Sequence, residues 1–204
     1  MAGALAAETP RGPGADPFAL TAEARQVLQW VQASADNQGR PFAIVDKKAA
    51  RLFVHAPGGR LLGAAPALIG EATGDHTVPG VGDKPVSQVL PEERTTPAGR
   101  FVSEPGRNLS GERVVWVEYD SGFAIHRVRP GASYERRLQR LASSTATDNR
   151  ASLGCVVVSG SFYDSVVAPV LGRQRAVVYV LPETRPLASL FGDTRVASGT
   201  PGAH

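Results

Sequence analysis

The sequence is poor in sulfur, poor in aromatic rings and almost balanced in charge. Its 204 residues include one cysteine, Cys155, and one methionine, and Phe, Trp and Tyr make up 6% of the chain. A single cysteine excludes a disulfide framework and a cysteine-rich zinc or iron–sulfur scaffold, and it leaves that thiol free for other chemistry. Scattered aromatics offer no platform for stacking bases. An excess of 22 Lys and Arg over 19 Asp and Glu, spread along the chain, is too slight to imply a nucleic-acid partner. No run of about 18 apolar residues occurs, so no membrane-spanning helix is expected. What is present, 42% hydrophobic residues at a net charge of +3, suits one compact domain with tails rather than a disordered chain.

The two ends are rich in Ala, Gly and Pro. In residues 1–20, read as a flexible segment, Ala4-Leu5-Ala6 before Ala7-Glu8 has the small-x-small form of a signal-peptidase site. Two readings stay open, a remnant of an export signal and an ordinary Ala-rich tail. Residues 184–204 read as a second tail, in which Leu187, Leu190 and Phe191 can dock locally.

Between the tails, residues 21–40 hold a helix capped by Thr21, with Val27, Leu28, Trp30 and Val31 as its apolar stripe. From Pro41 the period shortens to that of strands. Phe42-Ala43-Ile44-Val45 and Arg51-Leu52-Phe53-Val54 form a first hairpin, and residues 114–119 and 123–128 form the strongest one, turning at Asp120-Ser121-Gly122. Residues 135–142 and 162–171 read as helices, and 156–158 and 176–181 as buried strands. The connection from Gly70 to Thr96 is too long for a compact domain unless it borders a site. The expected fold is therefore mainly β with a few packed helices, in one domain spanning 41–183.

Chemistry is expected around Cys155. The preceding Gly154 allows a tight turn into a strand, and such a turn can aim consecutive amides at a developing oxyanion. A neighbouring imidazole would lower the thiol pKa, and His126 is the candidate. Read from spacing alone, an inert buried cysteine and a structural histidine remain the commoner outcome. Gathering of His55, His76, His126 and Cys155 around zinc is disfavoured because no pair has metal-motif spacing.

Ser152-Leu153-Gly154-Cys155 followed by Val156-Val157-Val158, with His126 upstream, resembles the active-site signature of the L,D-transpeptidase (YkuD-like) family. The first hairpin, Thr96-Pro97-Ala98-Gly99-Arg100-Phe101 and the closing strand 177–181 are similar to further segments of that family, in the same order, over about residues 41–183. The resemblance implies a β-sandwich or barrel catalytic domain in the periplasm or envelope of a bacterium. It implies Cys155 as nucleophile, His126 as its base, the Gly154 and Cys155 amides as oxyanion donors, and the Arg127 carbonyl as the group that orients His126. Ser152 matches the motif's Ser/Thr and is expected on the substrate side; Arg150, close to Cys155 in sequence, is a further substrate-side candidate that could bind a stem-peptide carboxylate, the default reading being a surface arginine in a polar loop. The implied reaction is acyl transfer on peptidoglycan stem peptides through a thioester, without metal or organic cofactor, by a protein expected to be monomeric. Water as acceptor would instead give carboxypeptidase or amidase activity, and a silent binding protein is the remaining alternative. The sequence departs from the family pattern at Leu153, where the motif has a second histidine, at Val157, where it has Asn or Arg, and in the step of 29 positions from His126 to Cys155. That longer spacer carries Arg136, Arg137 and Arg140, either a lid or, more plainly, a solvated helix face.

Overall fold

The computed structural model describes residues 19–129 and 133–192. The Ala4-Leu5-Ala6 motif and residues 193–204 lie outside them. Helix α1 (Ala22–Ser34) starts where the Thr21 hydroxyl oxygen accepts the Ala24 N–H at 3.1 Å, and it buries Ala24, Val27 and Val31. Strands β1 (Phe42–Asp46), β2 (Arg51–His55) and β3 (Leu61–Pro66) then form an antiparallel meander. A short β4 (Ile69–Gly70) precedes the long connection, after which β5 (Gly99–Arg107), β6 (Arg113–Glu118) and β7 (Phe123–Arg127) form a second meander. Helix α2 (Tyr134–Ala142) leads to β8 (Arg150–Ser152) and β9 (Val156–Val158), and β10 (Ala176–Val180) is the last strand among the described residues.

Eight strands share one sheet in the order β3-β2-β1-β10-β5-β6-β7-β9. The two meanders are joined side by side through β10, which lies parallel to β1 and antiparallel to β5. The outer ends are drawn together just past β3, where Leu68 and Val157 exchange both backbone hydrogen bonds, at 2.7 and 2.9 Å. The sheet is thus nearly closed, and β4 and β8 pair as a small parallel strap beside the seam.

Alternation explains why β1 and β10 are buried along their whole length. Ala43, Val45, Val178 and Val180 face an interior shared with Val115, Val156 and Val158. Phe42, Ile44, Val177 and Tyr179 face the opposite side, where α1 covers them. Strands covered on both faces read as unbroken apolar runs, as these do.

Two expectations need correction. The helix after β9 is not regular: α3 (Gly160–Phe162) passes through a π-turn at Tyr163–Val167 into α4 (Ala168–Val170). Pro169 has no N–H to return to Ser165, and the widened turn just before it absorbs that loss. Nor does the tail begin at residue 184. The Thr184 N–H donates to Asp75 at 2.9 Å, and α5 (Ala188–Phe191) seats Phe191 5.8 Å from the Trp30 ring. Burying that ring outweighs the entropy of ordering a short Pro-containing stretch.

A buried ionic cluster ties these parts together. Lys47, in the β1–β2 turn, is fully enclosed and donates to Asp75 Oδ1 at 2.7 Å, to the Gly74 carbonyl at 2.5 Å and to the Thr96 carbonyl at 2.9 Å. Glu183 lies 3.5 Å from the same ammonium, accepts the Gly74 N–H at 2.9 Å and pairs with Arg150. Burial alone would raise the Asp75 pKa, but Lys47, the Thr184 hydroxyl and the Glu183 and Thr184 amides hold that carboxyl well below the usual range. Removing one charge strands its partner in a desolvated site, so Lys47→Met should lower the unfolding free energy by about 3–5 kcal/mol in urea titrations at neutral pH. Because the folded-state pKa of Asp75 is depressed, its contribution is complete above the ordinary carboxylate value of about 4 and is lost as pH falls through the folded value. Acid unfolding of the unsubstituted protein should follow that sign.

Candidate active site

The turn that presents Cys155 is pinned at every peptide. The Ser152 hydroxyl donates to the Cys155 carbonyl at 2.6 Å and accepts the Gly154 N–H at 3.1 Å. Gly154 has φ +130°, and a Cβ there would stand 2.6 Å from the Thr95 carbonyl oxygen, so glycine is required on both counts. From the other side the Thr96 hydroxyl donates to the Gly154 carbonyl at 2.8 Å while accepting the Gly70 N–H at 2.8 Å. Thr96 is buried, so both of these bonds form out of reach of water.

Strand register brings the histidine to this turn. β7 and β9 are parallel, with Ile125 opposite Val156 and His126 opposite Val157. Ile125 and Val156 face the sheet interior, whereas Val157 packs with Leu68, Val128 and Cys155 on the outer face. His126 therefore shares the Cys155 side. Its Nδ1 lies 2.8 Å from the Arg127 carbonyl, which can only accept, so in the neutral ring Nδ1 carries the proton and Nε2 the lone pair.

Electrostatics sets the resting state of the pair. Burial, joined by the positive charges of Arg129 and Arg137, lowers the His126 pKa to about 4 against the opposing Arg127 carbonyl and Glu112. Burial pushes the Cys155 thiol up, opposed by the Ala124 amide and Arg129. The thiol donates to the Gly122 carbonyl at 3.4 Å. The expectation of a thiol acidified by its imidazole is thus corrected: a neutral imidazole supplies no charge to favour thiolate, and desolvation disfavours it.

Cys155 and His126 line one cavity of about 290 Å³. The long connection walls it with Thr77, Lys84 and Thr95 among others, through single 3-10 turns at Val81–Asp83, Val86–Gln88 and Pro91–Glu93. The β6–β7 turn contributes Ser121 and Gly122, and Leu153 and Val157 form the apolar margin beside the thiol. Arg150, expected on the substrate side, is instead paired with Glu183 and donates to the Gly70 and Ala72 carbonyls at 3.3 Å, outside the lining. Ser152 does line the cavity, but its hydroxyl is spent on the turn. Of the two amides expected at an oxyanion, that of Gly154 is engaged by Ser152, leaving the Cys155 N–H. The Arg127 guanidinium lies 3.5 Å from Asp164, so only its carbonyl serves His126. Thr96, Gly122 and Arg129 were not singled out individually as site residues, and each comes from a segment remote from Cys155 in sequence. No group of three or more His, Cys, Asp or Glu that could hold a metal ion occurs among the described residues. His55 is buried outside the lining, stacked 4.9 Å from the Phe42 ring.

No family model matches the sequence, and no curated protein matches it. Solved structures do. An L,D-transpeptidase from Mycobacterium smegmatis aligns over 69% of this chain and 58% of its own at 20% identity and a TM-score of 0.38. A helical cell shape determining protein from Campylobacter jejuni aligns over 79% and 57% at 14% identity and a TM-score of 0.46. An L,D-transpeptidase from Xylanimonas cellulosilytica aligns over 77% and 80% at 17% identity and a TM-score of 0.43. This chain spans a little under six-tenths of the first two structures.

Two outcomes follow from the geometry. Iodoacetamide labelling of Cys155 against pH should show a midpoint above the ordinary thiol value, with no acidic plateau, and any rate that depends on His126 as base should fall as pH drops through about 4. Thr96→Val leaves the Gly154 carbonyl and the Gly70 N–H without their buried partner and should cost about 1–3 kcal/mol in denaturant titrations.

Proposed function

We propose that this chain is an L,D-transpeptidase-like cysteine acyltransferase acting on peptidoglycan stem peptides. The observation that carries the reading is the pairing, in one cavity, of a thiol on a pinned glycine turn with a neutral histidine whose Nδ1–H is held by a backbone carbonyl. That tautomer makes Nε2 a base at neutral pH. Given the raised thiol pKa, the proton leaves Cys155 for Nε2 as sulfur attacks, rather than beforehand.

The Sγ–C bond forms at the scissile carbonyl carbon, and the oxyanion is received by the Cys155 amide. The C–N bond breaks, and the proton on His126 passes to the departing D-alanine amine. An amine from a second stem then attacks the thioester and gives its proton to Nε2; the C–S bond breaks, and the departing Cys155 sulfur takes that proton back from Nε2. No cofactor enters this sequence. The catalytic unit is taken as residues 21–192, since α1 and α5 both close the same face of the sheet. Among the described residues no helix is long and apolar enough to cross a membrane. Export to the cell envelope is part of the proposal and rests on the Ala4-Leu5-Ala6 motif and the resemblance.

The test is intact mass of the protein, and of Cys155→Ala, after incubation with disaccharide-tetrapeptide stems. The expected result is an acyl adduct lacking D-alanine on the unsubstituted protein and none on the variant, with crosslinked or hydrolysed product identifying the acceptor. A folded protein that forms no adduct and releases no D-alanine would overturn the reading.

A further inference from the structure

One cation on the cavity wall has no use in the acyl-transfer steps. Lys84 is paired with Glu93, and Arg129 Nε lies 3.0 Å from Glu112 Oε2. Arg137, on the same wall, has no acidic partner among the described residues. It is only partly exposed, and its charge acts on His126, which places it within electrostatic reach of the reacting pair.

The helix that carries Arg137 is fixed rather than free. Leu138 and Leu141 of α2 pack on Leu68, Val128 and Val157, and Arg140 donates to the Asp148 carbonyl at 2.9 Å. Arg137 is thereby presented to the cavity by a docked scaffold. A solvated helix face would point its arginines away from the cavity; Arg137 instead belongs to the same cavity lining as Cys155. A planar five-donor fork in a partly desolvated cleft, whose other charges already have counter-ions, favours a carboxylate over any neutral group.

We propose that Arg137 is a carboxylate subsite that binds the acyl-donor peptide and selects donors that are anionic there. The proposal deepens the function given above, because the donor is the peptide that Cys155 attacks. A stem peptide offers two sources of this chemistry, its C-terminal carboxylate and a side-chain carboxylate.

Binding can be measured without acyl transfer, which separates the two claims. In a Cys155→Ala background, calorimetry is run with a stem tetrapeptide bearing both carboxylates, with its C-terminal amide, and with its side-chain amide. Adding Arg137→Gln should weaken binding of the doubly anionic stem about 10- to 100-fold, the range of charge-assisted hydrogen bonds. Arg137→Lys, which keeps the charge without the fork, should fall between. One amide should bind the Arg137 protein as weakly as it binds Arg137→Gln, and that amide names the carboxylate contacted. Equal affinity of the Arg137 and Arg137→Gln proteins for all three stems would overturn the subsite, whether or not the unsubstituted protein forms the thioester.

Discussion

The buried contact between Lys47 and Asp75 is the constraint on which the remaining structure rests. Lys47 is wholly removed from water, which no ammonium tolerates unless all three of its protons find acceptors. Here they find Asp75 and the Gly74 and Thr96 carbonyls. Those three groups belong to the connection between the two meanders, so placing one charge places the whole connection. The Thr96 hydroxyl then reaches the Gly154 carbonyl, and the nucleophile turn inherits its position from a lysine more than 100 residues earlier. Lys47 and Arg150 oppose Asp75 and Glu183, all four largely or wholly withdrawn from solvent, and Arg185 lies 3.9 Å from Asp75 at the margin.

The candidate site follows a different electrostatic plan. Its thiol and imidazole both rest uncharged because burial penalises the ionised form of each, and Arg129 and Arg137 add to the penalty on imidazolium. Arg129 at the same time favours thiolate. A cavity with this field resists a standing ion pair yet accommodates negative charge as it develops on sulfur and then on the carbonyl oxygen. The cost of separating charge is deferred to the moment when substrate supplies the groups that receive it.

Much of the strand layout was legible because period-2 alternation and glycine turns are local signals. The hairpin from Val114 to Val128, the run Val156-Val157-Val158 and the glycine before Cys155 each announce themselves within a few residues. What was not legible depends on burial or on contacts between distant residues. Nothing local to Arg150 reveals Glu183, and nothing near Thr184 reveals Asp75, 109 positions away. The direction of the Cys155 pKa shift was missed for the same reason: adjacency to histidine acidifies a thiol only if the histidine is charged, and the burial that keeps it neutral is a property of the folded wall. Docking by Leu187, Leu190 and Phe191 was legible, but the helix α5 and its partner Trp30, at the other end of the chain, were not.

The place of β10 has a consequence for how the chain comes to be folded. It follows both meanders in the chain and lies between them in the sheet, parallel to β1 on one side and antiparallel to β5 on the other. Until residues 176–180 have emerged, β1 and β5 are unpaired edges, and both carry apolar side chains. Sheet edges of that kind invite pairing with a neighbouring chain, and pairing across so many intervening residues is slow. A nascent or truncated chain ending before residue 176 therefore leaves β1 and β5 as open edges, exposed to self-association for as long as β10 is missing.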